Sequence, residues 1–323
     1  MVVGTRKPSS RASVRSCPRA PCSICSAIDM ARPREIGASN SSTSKLRRMV
    51  GSACDIHGLH NELPSRSYEA MTQPIPNPAV QFDVLYEDAG FLVIAKPAGV
   101  VSEPGLGHRD DSLMNGIFAR WGAFASSLGT ARDFGLVHRL DRDSSGAIII
   151  ALEASAYDAL RAQFAARTVR KRYLTIVEGK PPRPEGSIEL PLDEVRRGDM
   201  KISLVDHRGG GRPAITRWKS LGSGHRRTLL DVEIETGRLH QIRAHMAELG
   251  CPVVGESVYR VDLPPITSRP PKGRAMQPLA LHALTLTFAH PTTGAPVTVT
   301  CPLPEHFKQV AADATIALPR ELR

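Results

Sequence analysis

Long apolar runs are missing from this chain of 323 residues. No stretch approaches the roughly 18 to 20 continuous apolar residues that a membrane-crossing helix needs, and no apolar run of signal-peptide type follows the basic N-terminal residues. No membrane partner is therefore expected, and the location expected is cytoplasmic. Cysteine is also scarce: of Cys17, Cys22, Cys25, Cys54, Cys251 and Cys301, only the last two lie in patterned sequence, which excludes a secreted disulfide framework. Cys22 and Cys25 have metal-ligand spacing, but no second Cys pair follows at a finger-like distance, and His57 and His60 lie in sequence without periodicity. No metal site is expected there.

Several functional signatures are absent as well. Gly209 to Gly211 is followed by Arg212, Pro213 and Ala214 rather than by the Lys and Ser/Thr of a phosphate-binding loop. No dinucleotide fingerprint and no serine nucleophile elbow occur, and the histidines lack the paired spacing of zinc hydrolases.

What is present begins with charge. The formal net charge is +10, and residues 1–78 hold 11 Lys plus Arg against 5 Asp plus Glu, a local excess of +6. A basic excess speaks to polyanion partners rather than to fold, and alone it does not decide for nucleic acid. Residues 1–78 are rich in Ser, Arg, Pro and Gly and show neither helical nor strand periodicity, so a disordered tail is expected there, or an over-called reading frame whose start is Met30, Met49 or Met71.

Patterned sequence follows, and 41% apolar residues suffice for a proper core. Phe82 to Asp88 alternates as a half-buried strand, Ala89 and Gly90 make a turn, and Phe91 to Ala95 is a second strand, so a hairpin is expected. Lys96 to Gly99 ends it, because Pro97 lacks a backbone donor and Gly99 permits a turn. A polar loop from Leu136 to Gly146 feeds a buried strand over Ala147–Ala151. A helix is expected from about Ser155, whose hydroxyl can cap it, with Tyr157, Leu160 and Phe164 on one face. Arg170 to Val177 reads as a strand, and a Pro- and Gly-rich connection covers about 179–187. Thr228 to Glu235 is a strand with Leu230, Val232 and Ile234 on one face. Leu239, Ile242, Met246 and Leu249 fall at helical spacing up to Gly250. Further short strands are expected around 281–288 and 296–299. Without a regular βαβ repeat, the fold class is α+β.

Two polar constellations stand out. His138, Arg139, Asp141, Arg142 and Asp143 lie before a strand, and Arg238, His240, Gln241, Arg243 and His245 lie at a helix start. They fit either a structural ion-pair network or a functional site, and loop placement favours function. Asp143 reads as a cap for the turn from Ser144 to Gly146.

HRLDRDSSG from His138 to Gly146 resembles the signature of the RluA-type family of pseudouridine synthases. KPAGV at 96–100, VRKRYL at 169–174, TGRLHQIRAH at 236–245, PVVGESVY at 252–259 and LALHA at 279–283 resemble that family's other blocks in order. The resemblance spans residues 79–305 and none of the tail.

It implies an α+β domain with a largely antiparallel bent mixed sheet, flanking helices and a central RNA-binding cleft. It implies an isomerase that converts particular uridines of a structured ribosomal or transfer RNA to pseudouridine, with no metal or organic cofactor. Asp141 would be the essential carboxylate, acting as nucleophile, as electrostatic support for an oxocarbenium-like state, or as base. Arg243 would pair with it and hold it ionised. Tyr173 would stack on the everted uracil, over an apolar floor at Ile242. Arg139 would brace the RNA where the uridine leaves the stack. His138, Arg238, His240 and Gln241 complete the expected RNA- and base-binding set. The rival reading is a catalytically silent RNA-binding or assembly protein on the same fold; a nucleosidase acting on free uridine is more remote.

Ser145 stands where relatives often have Thr, and Glu103 where many are apolar or basic. Residues 1–78 show no helical RNA-binding domain of the kind many relatives carry, so substrate choice is expected to rest on the catalytic domain. The expected division is a tail over 1–78, a catalytic domain over 79–316 and a short tail over 317–323, acting as a monomer.

Overall fold

The computed structural model describes residues 73–198, 200–259 and 278–322. The basic segment before residue 73, with Cys22, Cys25, His57 and His60, lies outside the described residues.

The alternating segment after Phe82 forms the expected hairpin, β1 (Asp83–Glu87) and β2 (Phe91–Lys96). β2 pairs antiparallel with β3 (Ser145–Ala151), whose Ile148, Ile149 and Ile150 are fully buried. Each such side chain contributes roughly 1.5–3 kcal/mol relative to exposure. Because successive residues point to opposite faces, one strand serves two cores. Ile148 and Ile150 pack against helix α1 (Leu113–Leu128), while Ile149 packs with Tyr157 and Leu160 of helix α2 (Ala154–Ala165).

The sheet continues through β4 (Arg170–Glu178), β5 (Glu185–Ile188), β8 (Thr216–Gly224), β9 (Arg227–Ile234), β10 (Leu281–Ala289) and β11 (Pro296–Thr300). A separate ribbon joins β6 (Leu192–Arg197) to β7 (Met200–Val205). Among the described residues the large sheet runs β1-β2-β3-β10-β4-β9-β8-β5, with β11 beside β10, and its pairings are antiparallel except β3 with β10. That parallel junction is close. A Cβ on Gly146, whose φ is +127, would lie 2.3 Å from the carbonyl oxygen of Ala283. The second half of the sheet is again covered on both faces. Tyr173, Val177, Leu230 and Val232 meet helix α3 (Gln241–Glu248), and Leu174, Ile176 and Leu229 meet helix α4 (Glu305–Asp313).

The expected α+β class and largely antiparallel sheet are observed, with local differences. Helix α2 begins one residue before Ser155 and takes no side-chain cap; Glu153 occupies the cap position. Helix α3 begins only at Gln241, because His240 adopts a left-handed φ of 51° that a helix cannot include. Leu239 therefore sits outside the helix, and residues 241–246 are all buried rather than only one stripe. Helix α1 has no counterpart among the expected elements. Its start is a capping box in which Ser112 Oγ accepts from the Asn115 amide at 3.3 Å and Asn115 Oδ1 accepts from the Ser112 amide at 2.9 Å. Asn115 replaces the usual Glu or Gln, and a kink at Trp121 interrupts the helical period.

Outside the expected domain limits, the Asn77 amide donates to the Asn115 carbonyl at 2.9 Å, and Leu318 and Leu322 pack beside Phe307. No helix among the described residues is long and apolar enough to cross a membrane.

Candidate active site

Two loops stitched together carry the acid. At the end of β2 the buried Lys96 ammonium donates to the carbonyls of Pro97 at 2.8 Å, Val100 at 2.6 Å and Arg142 at 3.0 Å. Three acceptors match the three N–H groups of a charged lysine. Burial pushes its pKa down to about 7, opposed by the carboxylates of Asp141 and Asp143. Ser102 adds a second stitch, donating to the Leu140 carbonyl at 2.9 Å and accepting from the Leu140 amide at 3.2 Å. The backbone on both sides of Asp141 is thereby fixed to the loop that follows β2.

Asp141 keeps 19% of its side chain exposed and faces Arg243, whose Nη1 lies 3.5 Å from its Oδ2. Arg243 comes from the first turn of α3 and is only 3% exposed. Its stronger partner is Glu256, a fully buried carboxylate that accepts from Nε and Nη2 at 2.8 Å each. Glu256 also accepts from the amides of Ser257 at 2.9 Å and Val258 at 2.7 Å. These bonds and the Arg243 charge hold the Glu256 pKa below the usual carboxylate range against its burial. Burial alone would lower the proton affinity of Arg243, but Glu256 and Asp141 outweigh it and the guanidinium stays charged. The guanidinium also lies 5.6 Å from the ring centroid of Tyr259. Arg243 is thus clamped along one edge and presents the other to Asp141.

Tyr173 on β4 is buried in one apolar cluster with Leu140 and Ile242. Burial, and secondarily the charge of Asp141, push its phenol well above the ordinary value, so it stays protonated. Asp141, Arg243, Tyr173 and Ile242, from loop, helix, strand and helix, are therefore brought together.

The remaining expected residues divide. His240 turns its Nδ1 to the Tyr259 hydroxyl at 2.9 Å, and burial lowers its pKa, so it is neutral at pH 7. Arg238 donates Nε to the Pro213 carbonyl at 3.0 Å and stays half-buried. Arg139 is exposed and paired with Glu103 at 2.5 Å. Among the described residues, neither His138 nor Gln241 hydrogen-bonds to the acid. His138 stacks on Phe164 at 4.6 Å between centroids, accepts from the Ile149 amide at 3.0 Å, and is pushed down to about 3 by burial. Gln241 makes four bonds internally, accepting from the Thr236 hydroxyl and the Arg238 amide and donating to the Ile215 carbonyl and Thr216 hydroxyl. That holds the turn which aims α3. Asp143 does not cap the following turn. Its carboxylate takes Arg142 Nε at 2.8 Å, while the Ser144 amide donates to the Asp141 carbonyl.

Lys96, Ser102, Glu256 and Tyr259 carry no role in the sequence reading. Lys96 does sit inside the block KPAGV, and Glu256 and Tyr259 inside PVVGESVY, but neither block by itself tells which charges its residues meet.

Residues 90–248 match the family described as RNA pseudouridylate synthase. A ribosomal large subunit pseudouridine synthase D from Xanthomonas campestris is 37% identical over 251 residues, covering 75% of this chain and 72% of that protein. An uncharacterized RNA pseudouridine synthase from Synechocystis is 36% identical over 231 residues, covering 72% and 68%. Among solved structures, human RNA pseudouridylate synthase domain containing 1 superposes with a TM-score of 0.53 at 26% identity, over 71% of this chain and 86% of that one. The sheet, its flanking helices and the two matched blocks around Asp141 and Arg243 thus define an RNA-modifying isomerase fold. The chain belongs to the RluA-type family of RNA pseudouridine synthases.

Proposed function

We propose that this enzyme isomerises particular uridines of large-subunit ribosomal RNA, with Asp141 as the catalytic carboxylate. The observation that carries the assignment is the pairing of a partly exposed Asp141 with the buried, clamped Arg243. An acid that must approach an anomeric carbon has to stay ionised, reachable and fixed. The arginine sets a fixed positive charge 3.5 Å from the acid, the stitched loops fix the backbone, and the remaining exposure leaves the carboxylate open to a nucleoside.

The target nucleotide must leave its helix to reach that oxygen, since a stacked base shields the atom concerned. Tyr173 and Ile242 would receive the everted uracil, with the protonated phenol positioned to share in proton movement at carbon 5. Arg139 would exchange Glu103 for the RNA at the vacated position. Arg238 and His240 would line the cleft, while His138 and Gln241 would support it from behind. Ribosomal rather than transfer RNA is favoured by the name of the Xanthomonas relative and of a Pseudomonas aeruginosa relative 36% identical over 232 residues.

The catalytic domain is taken as about 79–316, acting as a monomer in the cytoplasm, with the basic segment dispensable. A chain starting at Met71 should retain full activity. The decisive experiment maps pseudouridine in total RNA from a strain lacking the gene. Loss of one or a few large-subunit sites, restored by the gene, is expected; a change confined to transfer RNA would overturn the substrate assignment.

A further inference from the structure

Lys171 lies two residues before Tyr173 on β4 and on the same inward side, since Arg170 before it and Arg172 between the two are exposed. It is 9% exposed, and it donates one long hydrogen bond, to the Thr236 carbonyl at 3.4 Å. Gly237 lies beside the ammonium, since a Cβ there would stand 3.9 Å from Nζ. Among the described residues, Lys171, Arg167 and Arg238 form no ion pair. The neighbours that act on the Lys171 charge are Arg167, at the end of α2, and Arg238, in the turn before α3, both cations. Burial, with Lys171 and Arg161, depresses His138, so no negative charge faces Lys171 from that side; the carboxylate that acts on the cluster is Glu194 of β6, which bears on Arg238 and is itself paired with Lys201 and Arg212.

A nine-tenths buried cation beside two others, with no carboxylate paired to it among the described residues, is costly to the free protein. Such an arrangement makes sense where a ligand brings the missing negative charge. The turn from Thr236 to Arg238 that lines it also aims α3 and hence Arg243, so the cluster borders the candidate active site.

We propose that Lys171, with Arg167 and Arg238, forms a seat for a backbone phosphodiester of the RNA next to the nucleotide being modified. The proposal rests on the functional reading above for the identity of its ligand as RNA. Phosphate seating would register the strand, placing the sugar of the everted nucleotide at Asp141, while carrying no base preference.

Burial and the two arginines push the Lys171 pKa down to about 8 in the free protein, and a bound phosphate would raise it. Binding above pH 8 must then take up a proton, so affinity should fall as pH rises from 8 to 9.5. An arginine at this position stays charged throughout and should remove that fall.

The test uses polyuridylate as the probe, with dissociation constants measured by filter binding from pH 7 to 9.5 and across a salt series. For the full chain, the constant should weaken severalfold over that pH range; Lys171→Arg should be flat. Lys171→Met should bind several times more weakly at pH 7, with the salt slope reduced by about one. Its melting temperature should not drop, because an unbalanced charge has been removed; a lysine that merely braces Thr236 predicts the reverse. Unchanged affinity and salt slope in Lys171→Met, or the same pH dependence in Lys171→Arg and the full chain, would overturn the proposal. Polyuridylate binding is scored apart from pseudouridine formation, so a wrong ribosomal target would leave this result standing.

Discussion

Arg243 is bound more tightly to Glu256 than to Asp141: two contacts of 2.8 Å against one of 3.5 Å. The difference has a physical sense. An arginine neutralised wholly by Asp141 would occupy both its oxygens and quench them, whereas one anchored elsewhere can steer a single oxygen and leave the other available. Glu256 is the anchor.

Replacing that anchor should therefore act on turnover rather than on substrate capture. Glu256→Gln keeps the shape but leaves the guanidinium undercompensated, which should lower kcat about 10- to 100-fold, corresponding to roughly 1.4–2.8 kcal/mol, with KM for RNA little changed. Glu256→Asp keeps the charge and should recover part of the loss. An equal fall in RNA affinity for both variants would show a general collapse of the region instead.

Lys96 gives a pH prediction whose sign can be worked out. Its pKa is depressed to about 7 from 10.5, so between those values the unfolded chain binds more protons and the folded state gains stability as pH rises. The slope from this group is at most about 1.4 kcal/mol per pH unit. Activity should move oppositely. A neutral amine has two N–H groups for three carbonyls, so the Asp141 loop loosens and kcat should decline above about pH 7. Lys96→Met should abolish both trends while costing roughly 2–4 kcal/mol through carbonyls left unpaired. Denaturant titrations and rate profiles over pH 6–9 read the two effects separately.

Gly146 closes the loop that bears Asp141 and starts β3. Alanine there would meet the Ala283 carbonyl at 2.3 Å and its amide nitrogen at 2.5 Å, on a φ of +127 that only glycine adopts easily. Gly146→Ala should cost at least about 1–3 kcal/mol by urea unfolding and should reduce activity with it. Wild-type stability in this variant would show that the parallel junction of β3 and β10 tolerates spreading.

Asp141→Asn should abolish pseudouridine formation while its melting temperature and polyuridylate affinity stay close to those of the unaltered protein, because the side chain is partly exposed and makes one long ionic contact. Measurable turnover by this variant would remove the acid from its catalytic role. Arg243 keeps both 2.8 Å contacts to Glu256 in this variant, so a large loss of stability is not expected.

The alternation of Leu230, Val232 and Ile234, the run from Ala147 to Ala151 and the hairpin around Ala89 and Gly90 were each legible, because burial on one or both faces of a strand writes a period into the text. Helix α1 was not, since its kink and its unusual Asn115 cap blur the period. The same limit explains the site. Asp141 and Arg243 could be named from local blocks, but Glu256 could not, for nothing near it in sequence says that its carboxylate is buried against a helix thirteen residues earlier.

By itself the sequence determined the α+β class, most strands and the family, because residue types and periods are local properties of the chain. The tertiary structure alone decided which charges meet: Lys96 with the Arg142 carbonyl, Arg243 with Glu256 before Asp141, Arg139 with Glu103 and Lys171 among other cations. Electrostatic partnership depends on distance and burial, and neither is fixed until distant segments have packed.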